Sequence, residues 1–113
     1  KKIISVIHFE IRKEMKKFLR NNKKKKIVIL DIPLLLENKI NKKGDILIFV
    51  KSKRSEITKR LKKKINFNKN LFNKFKKLQL PLDYKMKKSN YIIKNNFTKE
   101  SVKRNIKHIL NNI

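Results

Sequence analysis

Apolar positions along this chain switch between two spacings. From Ser5 to about Leu19, Ile7, Ile11, Met15 and Phe18/Leu19 recur every three or four residues. That spacing lines one face of a helix, with Ser5 as its expected N-cap. Arg12, Lys13, Lys16 and Lys17 fall largely off the stripe, and Asn21 and Asn22 end it before a lysine run at 23–26 that reads as a solvated loop. The pattern then becomes a continuous apolar run, Ile27 to Asp31, which suits a strand covered on both faces of a parallel sheet. Pro33 stops that ladder, and Leu34, Leu35 and Glu37 follow in a tight turn. After a loop at Asn41–Gly44, Asp45 to Val50 reads as a second buried strand. Ser52 is then placed to cap a helix with Ile57 and Leu61 on its inner face. The spacing breaks near residues 65–70, where Asn70 is expected to cap a helix through Leu71, Phe72, Phe75 and Leu78 that Pro81 interrupts. Tyr91–Ile93 is a short third strand. The last helix starts at Thr98, with Phe97 placed to staple Val102 and a core stripe of Val102, Ile106, Ile109, Leu110 and Ile113.

Strands alternating with helices predict βαβ units and a parallel α/β sheet. The chain shows no internal repeat and no interdomain linker. At 113 residues it has room for one modest core.

Charge changes this picture less than its size suggests. The formal charge of +26 draws phosphate, and a small basic nucleic-acid-binding protein is one reading. However, Lys, Asn and Ile make up 60 of the 113 residues, Ala is absent, and Lys outnumbers Arg 29 to 5. Codons rich in A and T account for that bias. A dedicated nucleic-acid binder would use more Arg, whose planar fork reads phosphates and guanine edges bidentately. The absence of Cys excludes disulfides and thiolate metal sites and fits a reducing compartment. No apolar run approaches the ~20 residues of a membrane helix, and Lys1–Ile4 is too short for a signal peptide.

Gly44 is the one glycine, so a Gly-x-x-x-x-Gly-Lys-Ser/Thr phosphate loop, whose backbone must wrap round phosphate oxygens, is not encoded here. Four other segments carry a resemblance. They are Pro33-Leu-Leu-Leu-Glu37 after the first expected strand, Arg60-Leu-Lys-Lys-Lys64, Gln79-Leu-Pro-Leu-Asp-Tyr-Lys85, and Ser89-Asn-Tyr-Ile-Ile-Lys-Asn-Asn96. In type and order they resemble segments of the dephospho-coenzyme A kinases, over about residues 6 to 110. The resemblance implies an α/β, phosphate-loop-kinase-like parallel sheet with flanking helices. It would be incomplete, because the amino-terminal strands and the phosphate loop are missing. Residues 1–113 would then be a single partial domain, the carboxyl-terminal part of such a kinase, with a lid-like helical segment at about 53–88. Alone it is expected to be inactive and poorly stable, because apolar strand edges would lack their common neighbour.

The implied reaction is transfer of the γ-phosphate of ATP, with Mg²⁺, to the ribose 3′-hydroxyl of dephospho-coenzyme A, in the cytoplasm. Another nucleoside or nucleotide kinase is the nearest enzyme alternative. ATP and dephospho-coenzyme A are the implied partners, with no specific nucleic acid and no membrane. The family's phosphate-loop lysine and catalytic aspartate have no counterpart in these residues, so no catalytic residue is assigned within them. Arg60 matches a lid arginine that closes on the nucleotide phosphates. Lys64 stands where a second arginine is usual, and Ile65 replaces the following Asp, which keeps charge but loses the bidentate fork. Asn95 matches the Asn of an Ile-Asp-Asn turn near the adenine pocket, although Lys94 replaces the Asp and Asn90 an upstream Asp. A turn held by Asn side chains is the competing role. On the substrate side the resemblance points to His8, Pro33, Leu34, Leu35 and Glu37. Phe9 replaces the proline that follows that histidine in the family. Glu37 sits at the carboxyl end of a strand, the ligand side of an open α/β sheet, with ion pairing to lysines as its alternative. Gln79 and Pro81 are expected to end one helix and start the next. His8 and His108 have no metal-ligand or nucleophile constellation beside them, and no metal site is assigned.

Overall fold

The computed structural model describes residues 2–113, with side chains from Ser5 onward. It divides into two units, Lys1–Lys42 and Lys43–Ile113.

The first unit is built on helix α1, Lys2–Asn21. The helix starts before Ser5, so the expected cap lies inside it. No Pro or Gly precedes Ser5 to stop the helix, and Ser inside a helix costs less than about 0.7 kcal/mol relative to Ala. Met15 is buried on its inner face, between half-buried Ile11 and Leu19, whereas Ile7 and Phe18 are about half exposed. The inward stripe is therefore one position narrower than the spacing suggested. At the end of α1, the Asn22 side-chain amide donates to the Phe18 carbonyl at 2.8 Å. It satisfies one of the carbonyls that a helix end leaves open.

The expected strand at Ile27–Asp31 does not form. These residues join no ladder, and Ile29 is 82% exposed. A strand is held by cross-strand pairing and by burial of its faces, and an apolar run with neither has no ladder to enter. Pro33 consequently ends no ladder; it opens a turn that runs to Lys39. There the amides of Asn38 and Ile40 donate to the carbonyls of Leu34 and Leu35. Arg12 fastens this turn to α1 by donating to the Asn38 carbonyl at 2.7 Å, and Ile40, 3% exposed, is sealed inside.

The second unit contains the sheet. Strand β1, Ile48–Lys51, pairs in parallel with β2, Tyr91–Lys94, in the register Ile48↔Tyr91 to Lys51↔Lys94. Parallel partners require a long crossover, supplied by α2 (Arg54–Lys62), α3 (Lys69–Leu78) and α4 (Leu82–Lys88). Asn90 sets the entry of the pair: its amide donates to the Leu47 carbonyl, and its side-chain oxygen accepts from the Leu47 amide, both at 2.8 Å. β1 is shorter than the expected Asp45–Val50, and it is not buried, with Ile48 and Val50 about half exposed. A two-stranded sheet covered on one face leaves the other face open. The cover is α5, Lys99–Asn112, which packs on β2. Ile109 is buried beneath it, and the Tyr91 hydroxyl donates to the Asn112 carbonyl. Of the rest of the expected stripe, Val102 is half-buried, and Ile106, Leu110 and Ile113 are 43–50% exposed.

Helix starts shift by a residue or two from the expected caps. Lys53, not Ser52, precedes α2. Asn68, not Asn70, caps α3, where its side chain accepts from the Leu71 amide at 3.1 Å. Gln79 ends α3 and Pro81 opens α4, where a fixed φ and a missing N–H are harmless. Thr98 does precede α5, but its hydroxyl is turned to the Asn96 side chain instead of capping the helix.

Candidate functional site

The tightest gathering of candidate residues lies where β2 passes into α5. Asn95 continues the sheet by donating its amide to the Lys51 carbonyl at 2.8 Å, and its side-chain oxygen accepts from the Phe97 amide at 2.9 Å. Asn96 repeats the device one residue on. Its side-chain oxygen accepts from both the amide (3.0 Å) and the hydroxyl (2.7 Å) of Thr98. Asn is suited to such side-chain-closed turns. Between the two, Phe97 is held at φ 63°.

Arg60, on the last turn of α2, lies with its guanidinium carbon 3.7 Å from the centre of the Phe97 ring. The chain thus brings together two residues singled out from sequence, Arg60 and Asn95, with Phe97 between them. A shallow open groove of about 440 Å³ starts at Asn95 and Phe97 and runs along α5. Val102 and Ile106 give it an apolar side, and Lys99 and Lys103 stand one turn apart with positive charge. A flat apolar strip edged by cations is chemically matched to a planar group carrying phosphate.

Lys64 does not line this groove. It is exposed in the turn after α2, where its amide donates to the Leu61 carbonyl at 3.1 Å. Two residues on, Asn66 takes a left-handed φ of 53°.

The remaining candidates lie in the first unit. His8 is half-buried on α1, Pro33 is exposed, and Leu34, Leu35 and Glu37 are half-buried in the turn below it. One carboxylate oxygen of Glu37, Oε2, is enclosed without a hydrogen bond of its own. Leu34, at φ 54°, and Lys39, at φ 50°, bracket this turn in left-handed conformations. A second shallow cavity of about 520 Å³ is edged by Lys16, Arg20, Lys23 and Lys42, with Leu19 at its floor. No reading of the sequence singled it out.

Phe97 is the functional candidate that sequence reasoning missed, because it was read only as a staple. Only a partial signal was available. Asn95 and Asn96 each close a turn with the side chain, but the earlier pair Asn21-Asn22 is followed by no left-handed residue, so an Asn pair alone does not mark such a position. Among the described residues, no group of three or more His, Asp or Glu side chains converges to hold a metal ion. Likewise, no helix is long and apolar enough to cross a membrane.

Comparison with known proteins places these features. The family model described as dephospho-CoA kinase matches residues 1–101. The dephospho-CoA kinase of Wolbachia pipientis wMel is 31% identical over 115 residues, covering 100% of this chain and 58% of the relative. That of Fusobacterium nucleatum is 29% identical, covering 99% of this chain and 58% of the relative. That of Bacillus thuringiensis subsp. konkukian is 31% identical, covering 93% of this chain and 54% of the relative. The chain therefore spans little more than half the length of these relatives. No solved structure gives a significant match.

Proposed function

This chain belongs to the dephospho-CoA kinase family, and from that premise we propose that it serves in an enzyme that phosphorylates dephospho-coenzyme A. The ribose 3′-hydroxyl oxygen attacks the γ-phosphorus of ATP and gives up its proton, ultimately to water, while the bond from that phosphorus to the β–γ bridging oxygen breaks and ADP leaves. Coenzyme A is the product, formed in the cytoplasm. The family match over residues 1–101 carries this reading, and the parallel α/β pairing of β1 with β2 supports it.

Phosphoryl transfer asks a protein for positioning and for positive charge around the moving group. In this reading residues 1–113 are part of one kinase domain, and about 53–88 form its lid. Arg60 is the lid cation. Its stacked position supports this role, since the face of the guanidinium rests on a ring while its N–H edges stay available to phosphate oxygens. Lys64 adds charge at the lid turn. Asn95 borders the nucleotide, and the groove along α5 takes its flat part. His8, Pro33, Leu34, Leu35 and Glu37 face the acceptor. Mg²⁺ accompanies ATP in such chemistry, but the described residues do not converge on a site for it. A phosphate loop is likewise not built from these residues, which include a single glycine, Gly44.

The test is direct. The whole protein, purified and given ATP, Mg²⁺ and dephospho-coenzyme A, should release ADP and coenzyme A in equal amounts. Absence of both products from a folded preparation would overturn the proposal.

A further inference from the structure

We propose that Phe97 is a positioning residue for Arg60, holding the guanidinium ready for phosphate without neutralising it. The inference rests on the kinase reading of Arg60 given above. Its starting point is the backbone. A left-handed φ is an outlier for a bulky residue, and Phe97 sits at 63°. Conformations of this kind persist where the surroundings over-determine them. Here Asn95 accepts from the Phe97 amide, and Asn96 grips Thr98 by two hydrogen bonds. The turn fixes the direction in which the ring leaves the chain, and the ring lies beneath Arg60 at 3.7 Å.

The choice of partner matters chemically. A carboxylate would orient an arginine by accepting two of its N–H groups and cancelling its charge. A ring takes only the face of the guanidinium, leaving its donors in the plane free. Among the described residues no carboxylate pairs with Arg60. The arginine is therefore restrained without a paired counter-charge, beside a groove that Lys99 and Lys103 make more positive.

The whole enzyme tests this with Phe97→Gly, Phe97→Tyr and Arg60→Ala. Glycine is the residue that a left-handed φ suits best, which offsets the loss of the half-buried ring and its cation–π contact, so Phe97→Gly should melt within a few degrees of the unsubstituted protein. Its kcat/KM should nevertheless fall about two- to five-fold, the equivalent of one exposed cation–π contact. Phe97→Tyr, which keeps the ring, should restore most of that loss. In the Arg60→Ala background, Phe97→Gly should cost nothing further. An equal loss in both backgrounds, or no loss in either, would overturn the proposal. A second arm does not depend on activity. The chain has no Trp, so Phe97→Trp introduces a local reporter, and the added indole emission should change when Arg60→Ala is combined with it. Unchanged emission would also refute the pairing. If the unsubstituted enzyme makes no coenzyme A, the kinase reading fails on its own and the emission alone decides whether the ring holds Arg60.

Discussion

Replacing Arg60 by Ala should separate stability from turnover. The side chain is exposed on a short helix, and its distinguishing contact is the Phe97 ring at 3.7 Å. An exposed cation–π contact contributes about 0.5–1 kcal/mol, and the higher helix propensity of Ala returns a few tenths of that. The expected loss of stability is thus under about 1 kcal/mol, a few degrees in melting temperature at most. Loss of a cation at a transferring phosphoryl group is far larger, on the order of 10³-fold in turnover, or about 4 kcal/mol of barrier. The assay pairs thermal melting with steady-state production of coenzyme A by the whole enzyme. Lys62→Ala, a neighbouring cation on α2, serves as the control and should stay within about two-fold, as expected for a solvated surface lysine. Arg60→Lys should recover only part of the activity, because an ammonium neither stacks flat on a ring nor donates a bidentate pair. If Arg60→Ala melts normally and turns over within a few-fold of the unsubstituted enzyme, Arg60 is not the lid cation. If melting collapses in step with activity, the residue holds the fold and the same assignment fails.

Two further outcomes follow from burial and charge. Ile109→Ala should cost about 2–5 kcal/mol in urea denaturation, because Ile109 is 4% exposed, whereas Leu110→Ala, at a site 50% exposed, should cost under about 1 kcal/mol. Similar losses at the two sites would mean that α5 does not seat on β2 through Ile109. Binding to fluorescent DNA or RNA should be weak, indifferent to sequence, and lost steeply between about 50 and 200 mM salt, because dispersed lysines act only by charge neutralisation. A sequence-selective complex that survives the higher salt would contradict the view that the +26 charge reflects composition.

Much of the architecture was legible because local pattern decides it. Helices α1 and α5, the Asn pair ending α1, and the Gln79–Pro81 boundary between α3 and α4 lie close to where the residues place them, although only part of each apolar stripe turns inward. Ile27–Asp31 misled, because an apolar run specifies a strand only when neighbours complete its ladder. The caps at Ser5, Ser52 and Asn70 misled for a more local reason. Nothing before Ser5 stops α1 from starting earlier, and no side chain caps α2 at all. At α3, where Asn68 and Asn70 could both cap, only the hydrogen bond actually made, that of Asn68 to Leu71, distinguishes them. In the candidate site, Arg60 and Asn95 came from the family resemblance. Their common neighbour Phe97 was hidden because a stacking contact between residues 37 positions apart leaves no periodic trace.

Among the described residues, four other than glycine occupy left-handed backbone positions: Leu34, Lys39, Asn66 and Phe97. Such a conformation costs an ordinary residue about 1–2 kcal/mol, and Asn somewhat less. Every glycine codon begins with two guanines, so mutation toward A and T removes first the residue these bends would accept without strain. Base composition then acts on the fold at its corners, both beside the candidate site, at Leu34 and Phe97, and at bends given no part in it, at Lys39 and Asn66. A lineage under that pressure gathers small conformational penalties that each escape notice and together thin the margin against unfolding. Its proteins come to depend more heavily on chaperones. In such a molecule a glycine at Lys39, two base changes from a lysine codon, is a suppressor in waiting, able to rescue damage elsewhere in the chain at a bend assigned no part in the chemistry.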